Sequence, residues 1–196
     1  MTEKEKSALG VLYDANYDEE LITERLAAME LCHDYNALRP SQYDEKDAVL
    51  SRLLGRKGKR CIINAPFHCD LGYNIEVGDN FFANYNFVVL DAAKVVIGDN
   101  VFIAPGVGIY TAGHPLDAEK RNLGLEYAFP VTIGNDVWIG GGVQICPGVT
   151  IGDGTVIGAG SVVTREIPAR VLAAGNPCRV IREITDEDSR KYDTLT

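Results

Sequence analysis

His114, followed by Pro115 in the stretch IYTAGHPLD, is the residue in this chain whose type and setting could do chemistry. An unperturbed imidazole titrates near pH ~6.5. At neutral pH it can therefore take a proton from a hydroxyl too weakly acidic to ionise alone, the work of a general base. Pro115 confines His114 to extended backbone, which fixes where the ring starts from. The plain alternative is a loop histidine that is solvated or held by one hydrogen bond, and residue type does not separate the two. His33 lies in a helical pattern where a solvated role is expected, and nothing independent recommends His68 in PFHCDLGYN. The three histidines show no local spacing of the zinc-ligand type.

The element that must position His114 is a repeat. With an aliphatic residue at the first position, six hexapeptides run in frame from Ile133 to Pro168: IGNDVW, IGGGVQ, ICPGVT, IGDGTV, IGAGSV and VTREIP. The frame recurs as IGDNVF and IAPGVG from Ile97, and more loosely as LGYNIE, VGDNFF and ANYNFV from Leu71. Gly at the second position and turn residues at the third and fourth would break a helix or a simple alternating strand. They suit short extended segments joined by tight corners, some of them at positive φ. The first and fifth side chains then point inward. Three segments per turn make a triangular prism whose coils stack as parallel strands ~4.8 Å apart, and no coil can bury its inward row alone. A parallel β-helix follows. His114 falls where this frame breaks: after Ile109 the chain leaves it for a polar excursion over about 111–130, and a loop inserted at a prism corner leaves the stacking intact.

Residues 1–58 read instead as helical. In YDEELITERLAAMELCHDYN, the residues Ile22, Leu26, Met29, Cys32 and Asn36 form a mostly apolar stripe at helical spacing, with Asp18 as N-cap. A second helix is expected after Ser41, with Asp44 completing a capping box and Gly55 ending the helix, and a shorter one before Asp14. The β-helix is expected over 59–184 and a tail over 185–196.

Composition narrows the class. The chain has 196 residues, 46% of them hydrophobic, enough for one core with an appendage. A net charge of -9 argues against a nucleic-acid surface. Five scattered cysteines without a C-x-x-C pair fit a reduced, cytoplasmic setting in which each is a small buried hydrophobe. No signal-peptide pattern is present, and no run approaches the ~18 apolar residues of a membrane span.

The hexapeptides resemble those of the left-handed β-helix acyltransferases. More narrowly, LYDANYDEELITERLAAMELCHDYN, FFANYN, TAGHPLD and VIGAGSVVTREIPARVLAAGNPCRVIREI are similar to the maltose and galactoside O-acetyltransferases, with the local sequence nearer the maltose type. The resemblance covers nearly the whole chain, and the left hand of the helix comes from it alone. It implies an acetyl-CoA-dependent sugar O-acetyltransferase that needs no metal. His114 would be the general base, with Asn84 beside the acceptor or the acetyl group. Asp14, Arg25, Asp70 and Asp91 would bind the acceptor, although Asp70 stands where the galactoside type has Ser, and Ala92 replaces a second acidic residue. Trp138, Gly141, Ala159, Thr164 and Arg165 would line the coenzyme, and Arg179 and Arg182 would meet its phosphates. A backbone N–H at Gly141 would bond the thioester oxygen as charge develops. Family members are trimers with sites between adjacent prisms. Xenobiotic, serine and nucleotide-sugar acetyltransferases, a non-catalytic scaffold and a γ-type carbonic anhydrase are the rival readings; poor histidine spacing disfavours the last.

Overall fold

The computed structural model describes residues 1–190. From Arg56 onward the chain winds through three faces in fixed order. The first face holds Arg56–Lys57, Ile75–Val77, Val95–Ile97, Val131–Ile133 and Thr150–Ile151. The second begins at Ile62–Ile63, continues through Phe82–Ala83, Phe102–Ile103, Trp138–Ile139 and Val156–Ile157, and ends on Val171–Ala174 and Arg179–Glu183. The third holds Phe67–Cys69, Phe87–Leu90, Gly108–Tyr110, Gln144–Ile145 and Val162–Val163. Neighbouring strands are parallel and in register, as in Trp138 beside Phe102 and Val156; only the last strand, Arg179–Glu183, turns antiparallel. The protein is a parallel β-helix.

The hexapeptide frame sets the packing. First and fifth positions, such as Ile133 and Val137 or Ile139 and Val143, are at most 1% exposed. Each such side chain contributes about 1.5–3 kcal/mol relative to exposure. Fourth positions turn the corner at positive φ, with Asn80, Asn100 and Asp136 between 55° and 57°. Asn and Asp tolerate that region through local hydrogen bonds. Their neighbours at the third position knit successive coils: Asp99 Oδ1 accepts from Asp79 N–H (2.7 Å) and Asn135 Oδ1 from Asp99 N–H (2.9 Å).

Three helices precede the coils: α1 (Glu3–Ala8), α2 (Glu19–Ala37) and α3 (Tyr43–Leu53). Asp18 caps α2, accepting from Leu21 N–H. The buried face of α2 differs from the expected stripe: Leu21, Ala28, Cys32 and Tyr35 face inward, while Leu26 and Met29 are 55% and 60% exposed. The helix is docked by contacts to the first coils, which select this face. Asn36 exchanges two hydrogen bonds with the Phe67 backbone, the Tyr35 hydroxyl donates to the Ile63 carbonyl, and the Cys32 and Cys69 sulfurs touch at 3.7 Å. The expected capping box at Ser41 and Asp44 does not form. Gln42 is the N-cap and makes no side-chain cap, because its amide is spent on Arg39 N–H and Glu45. Gly55 also serves otherwise than expected: α3 ends on Leu54 in extended conformation, and a Cβ at residue 55 would lie 2.1 Å from the Tyr73 carbonyl oxygen. A fourth helix, α4 (Ala118–Asn122), lies in the loop inserted after Tyr110.

The second-position glycines let the coils touch. A Cβ on Gly98 would come within 2.8 Å of the Gly134 backbone. Gly98→Ala is therefore expected to lower unfolding free energy by roughly 1–3 kcal/mol, read from the urea midpoint. A midpoint equal to the parent's would mean that the coils separate locally at that corner without cost.

Candidate functional site

The inserted loop is a small structured unit. Ala112–Gly113 pairs antiparallel with Leu125–Ala128, which pairs on its other side with Tyr13–Asp14 from the N-terminal segment. α4 lies between the two loop strands in sequence. Asp117 caps it, and its Arg121 donates to the Pro115 and Leu116 carbonyls, holding the turn after His114.

His114 is held through one ring nitrogen and has a carboxylate near the other. Nδ1 lies 3.1 Å from the Leu125 carbonyl, which can only accept, so Nδ1 carries the proton in this contact and Nε2 keeps its lone pair. Nε2 sits 3.6 Å from Glu126 Oε1. The ring is 47% exposed and the carboxylate 19%. A negative charge beside Nε2 stabilises the imidazolium formed when that nitrogen takes a proton. The other Glu126 oxygen accepts from the Tyr13 hydroxyl (3.1 Å). Neither Glu126 nor Tyr13 stood out in the sequence. Their contact spans 113 residues, and Glu126 is one of three carboxylates in the loop, with Asp117 and Glu119.

Beside this group a cavity of about 670 Å³ opens between the N-terminal segment and the corner joining the third and first faces. Tyr13, Arg25, Asp70, Asn74 and Glu126 supply polar groups to its wall. Burial, with a smaller push from Asp91, drives the Asp70 carboxyl up to about 6, against the pull of Arg25. Two expected acceptor residues, Arg25 and Asp70, therefore meet here. The other two do not line the cavity. Asp91 is fully buried and brackets the corner instead, its Oδ1 accepting from Asp70 N–H and Leu71 N–H and its Oδ2 from Asn74 N–H. Asp14 turns its carboxylate back on its own chain, accepting from Asn16 N–H and Tyr17 N–H.

The remaining expected residues are divided between two edges of the prism. Asn84, Gly141 and Ala159 occupy the corner joining the second and third faces, and Trp138, 55% exposed, stands on the second face just before it. Among the described residues no protein acceptor takes the Gly141 N–H. Thr164 and Arg165 are exposed on the other edge, the one that bears His114. Arg179 and Arg182 lie on the antiparallel terminal strand, where Arg182 makes a bidentate pair with Asp188 at 2.6 and 2.7 Å. In one chain, then, His114 and Asn84 belong to different corners. His33 on α2 and His68 on the third face are exposed.

A prism of stacked hexapeptides with a helical cap and a histidine on an edge loop is the architecture of hexapeptide-repeat acyltransferases. The maltose acetyltransferase hexapeptide capping motif matches residues 6–58, and a bacterial transferase hexapeptide model of six repeats matches residues 130–165. The galactoside O-acetyltransferase of Escherichia coli K12 is 47% identical over 174 residues, 89% of this chain and 86% of that protein. The structure of a maltose O-acetyltransferase from Clostridium difficile 630 is 53% identical, with a TM-score of 0.92 over 95% of this chain and 99% of that one. A galactoside acetyltransferase in complex with coenzyme A is 44% identical, with a TM-score of 0.95 over 98% and 96% of the two chains. The chain belongs to the maltose and galactoside O-acetyltransferase family and is an acetyltransferase of that type.

Asp70 gives this site a pH signature. An unfolded Asp ionises near pH ~3.9, whereas the folded carboxyl holds its proton to about 6. The native state therefore binds more protons than the unfolded state between these values, and stability is lost as pH rises through that window. Asp70→Asn is expected to match the parent near pH 4 and to exceed it by roughly 1–3 kcal/mol above pH 7, read from urea unfolding across pH.

Proposed function

We propose that this protein transfers the acetyl group of acetyl-CoA to a hydroxyl of a sugar, with His114 as general base. The observation that carries this reading is the arrangement of His114: Nδ1 pinned to the Leu125 carbonyl, Nε2 left to accept, and a carboxylate 3.6 Å away to receive the charge. The acceptor lies in the adjacent cavity, where Asp70 and Arg25 offer charged partners for sugar hydroxyls. As its oxygen attacks the thioester carbonyl, its proton passes to His114 Nε2 and CoA thiolate leaves, with no acetyl-enzyme. The Gly141 N–H bonds the developing oxyanion.

The active unit is a trimer with each site completed between two copies. Two observations support this. The base lies on one edge of the prism while Asn84, Trp138 and Gly141 lie on or beside another. The second face also carries an outward apolar ladder in register, Ile62, Phe82, Phe102 and Trp138, three of whose members are about half exposed, at 49%, 53% and 55%. Packed on the neighbouring prism, that face would bring one copy's donor edge to the other's histidine.

His114→Ala is expected to lower kcat by roughly 10²–10⁴-fold, measured by CoA release with a panel of sugar acceptors, while CoA still binds in calorimetry. Near-parental turnover would remove His114 from the base role. Phe102→Glu places a charge in the ladder. It is expected to reduce the mass in solution from trimer towards monomer and to abolish turnover together with it, whereas a fully active monomer would refute the shared site.

A further inference from the structure

Tyr13 and Glu126 are directly opposed across the antiparallel bridge between the N-terminal segment and the loop, so their side chains share one face. Asp14 is likewise opposite Leu125, whose carbonyl holds His114 Nδ1. The strand Tyr13–Asp14 therefore backs both residues that touch the catalytic ring. Tyr13 is 3% exposed and packs with Ala15, Leu21, Ala93 and Ala128. Its hydroxyl is nonetheless directed at Glu126 Oε2, at 3.1 Å.

We propose that Tyr13 is a positioning residue: its hydroxyl holds the Glu126 carboxylate against His114, so that the helical cap sets the base. The inference rests on His114 acting as the base. A carboxylate on a partly exposed loop turns freely about its terminal bond unless one oxygen is anchored. Here the anchored oxygen is Oε2, which leaves Oε1 beside Nε2. Tyr13 keeps its own proton throughout, because burial and the adjacent Glu126 both push the phenol up. The other groups facing this cluster are Ser7 on α1, Asp70 at the corner, Arg25 on α2 beyond it, and Arg121 on α4, which is occupied by the Pro115 and Leu116 carbonyls. Among the described residues, none of these bonds either Glu126 oxygen.

The test is Tyr13→Phe, which keeps the packed ring and removes only the hydroxyl, assayed beside the parent, Glu126→Gln and the double variant. In Tyr13→Phe, kcat is expected to fall roughly tenfold with KM for acetyl-CoA unchanged. In the Glu126→Gln background the same substitution is expected to add less than about twofold, since the effect passes through Glu126. Parental kcat in Tyr13→Phe, a loss seen in KM for acetyl-CoA rather than in kcat, or effects that multiply in the double variant would each overturn the proposal. A parent enzyme without acetyl transfer to any hydroxyl would instead overturn the function on which it rests.

Discussion

Coils of this protein can lie on one another only where no side chain intervenes at the corner, and every other feature depends on that contact. At the corner between the first and second faces, Gly78, Gly98 and Gly134 are each so close to the coil above that a Cβ would collide with backbone. The closeness brings third-position carboxylates and amides within reach of the preceding coil's N–H, so one constraint yields both the packing and the polar ladder. It also keeps adjacent strands in register, which stacks the inward Ile and Val residues in rows along the prism. Because this scaffold is rigid and repetitive, an inserted loop inherits a fixed origin. The chain leaves the prism after Tyr110 and returns at Val131 with the coils above and below still paired across the gap, as in Val95 beside Val131.

The candidate site is built from what the prism lacks. Its inward rows are aliphatic, and its corner carboxylates, such as Asp79, Asp99 and Asp153, are committed to the neighbouring coil. The loop supplies the histidine and its carboxylate, and the N-terminal segment supplies the hydroxyl and the guanidinium. The cavity lies where these two additions meet the coil. In the proposed reaction this division of labour gives the helical cap a chemical role in addition to covering the first coil.

How much of this could be read beforehand follows from how local each demand is. The hexapeptide frame was legible residue by residue, because inward aliphatics, close-contact glycines and positive-φ corners each need a particular residue type at a fixed position. His114 was legible because it interrupts that frame. The buried face of α2 was not: Leu26 and Met29 fit a helical stripe as well as Leu21 and Ala28 do, and only the docked first coils decide between them. Nor was Asp91, whose burial as a bracket for three backbone N–H groups depends on how the corner folds around it. Glu126 and Tyr13 lay furthest from view, since neither has meaning until the bridge between residues 13 and 126 forms.

The two ends of the prism bear on a different matter. A stack of parallel strands has a terminal row of unpaired N–H and C=O groups at each end, and such a row is a template on which another chain can grow. At one end α2 is bound to the first coils through Asn36, Tyr35 and Cys32. At the other, Arg179–Glu183 runs antiparallel along Val171–Ala174, with all five of its residues exposed and three of them charged. A reversed, charged edge offers a poor docking row to a further parallel coil, so the elements that close the fold also oppose its extension into a fibre.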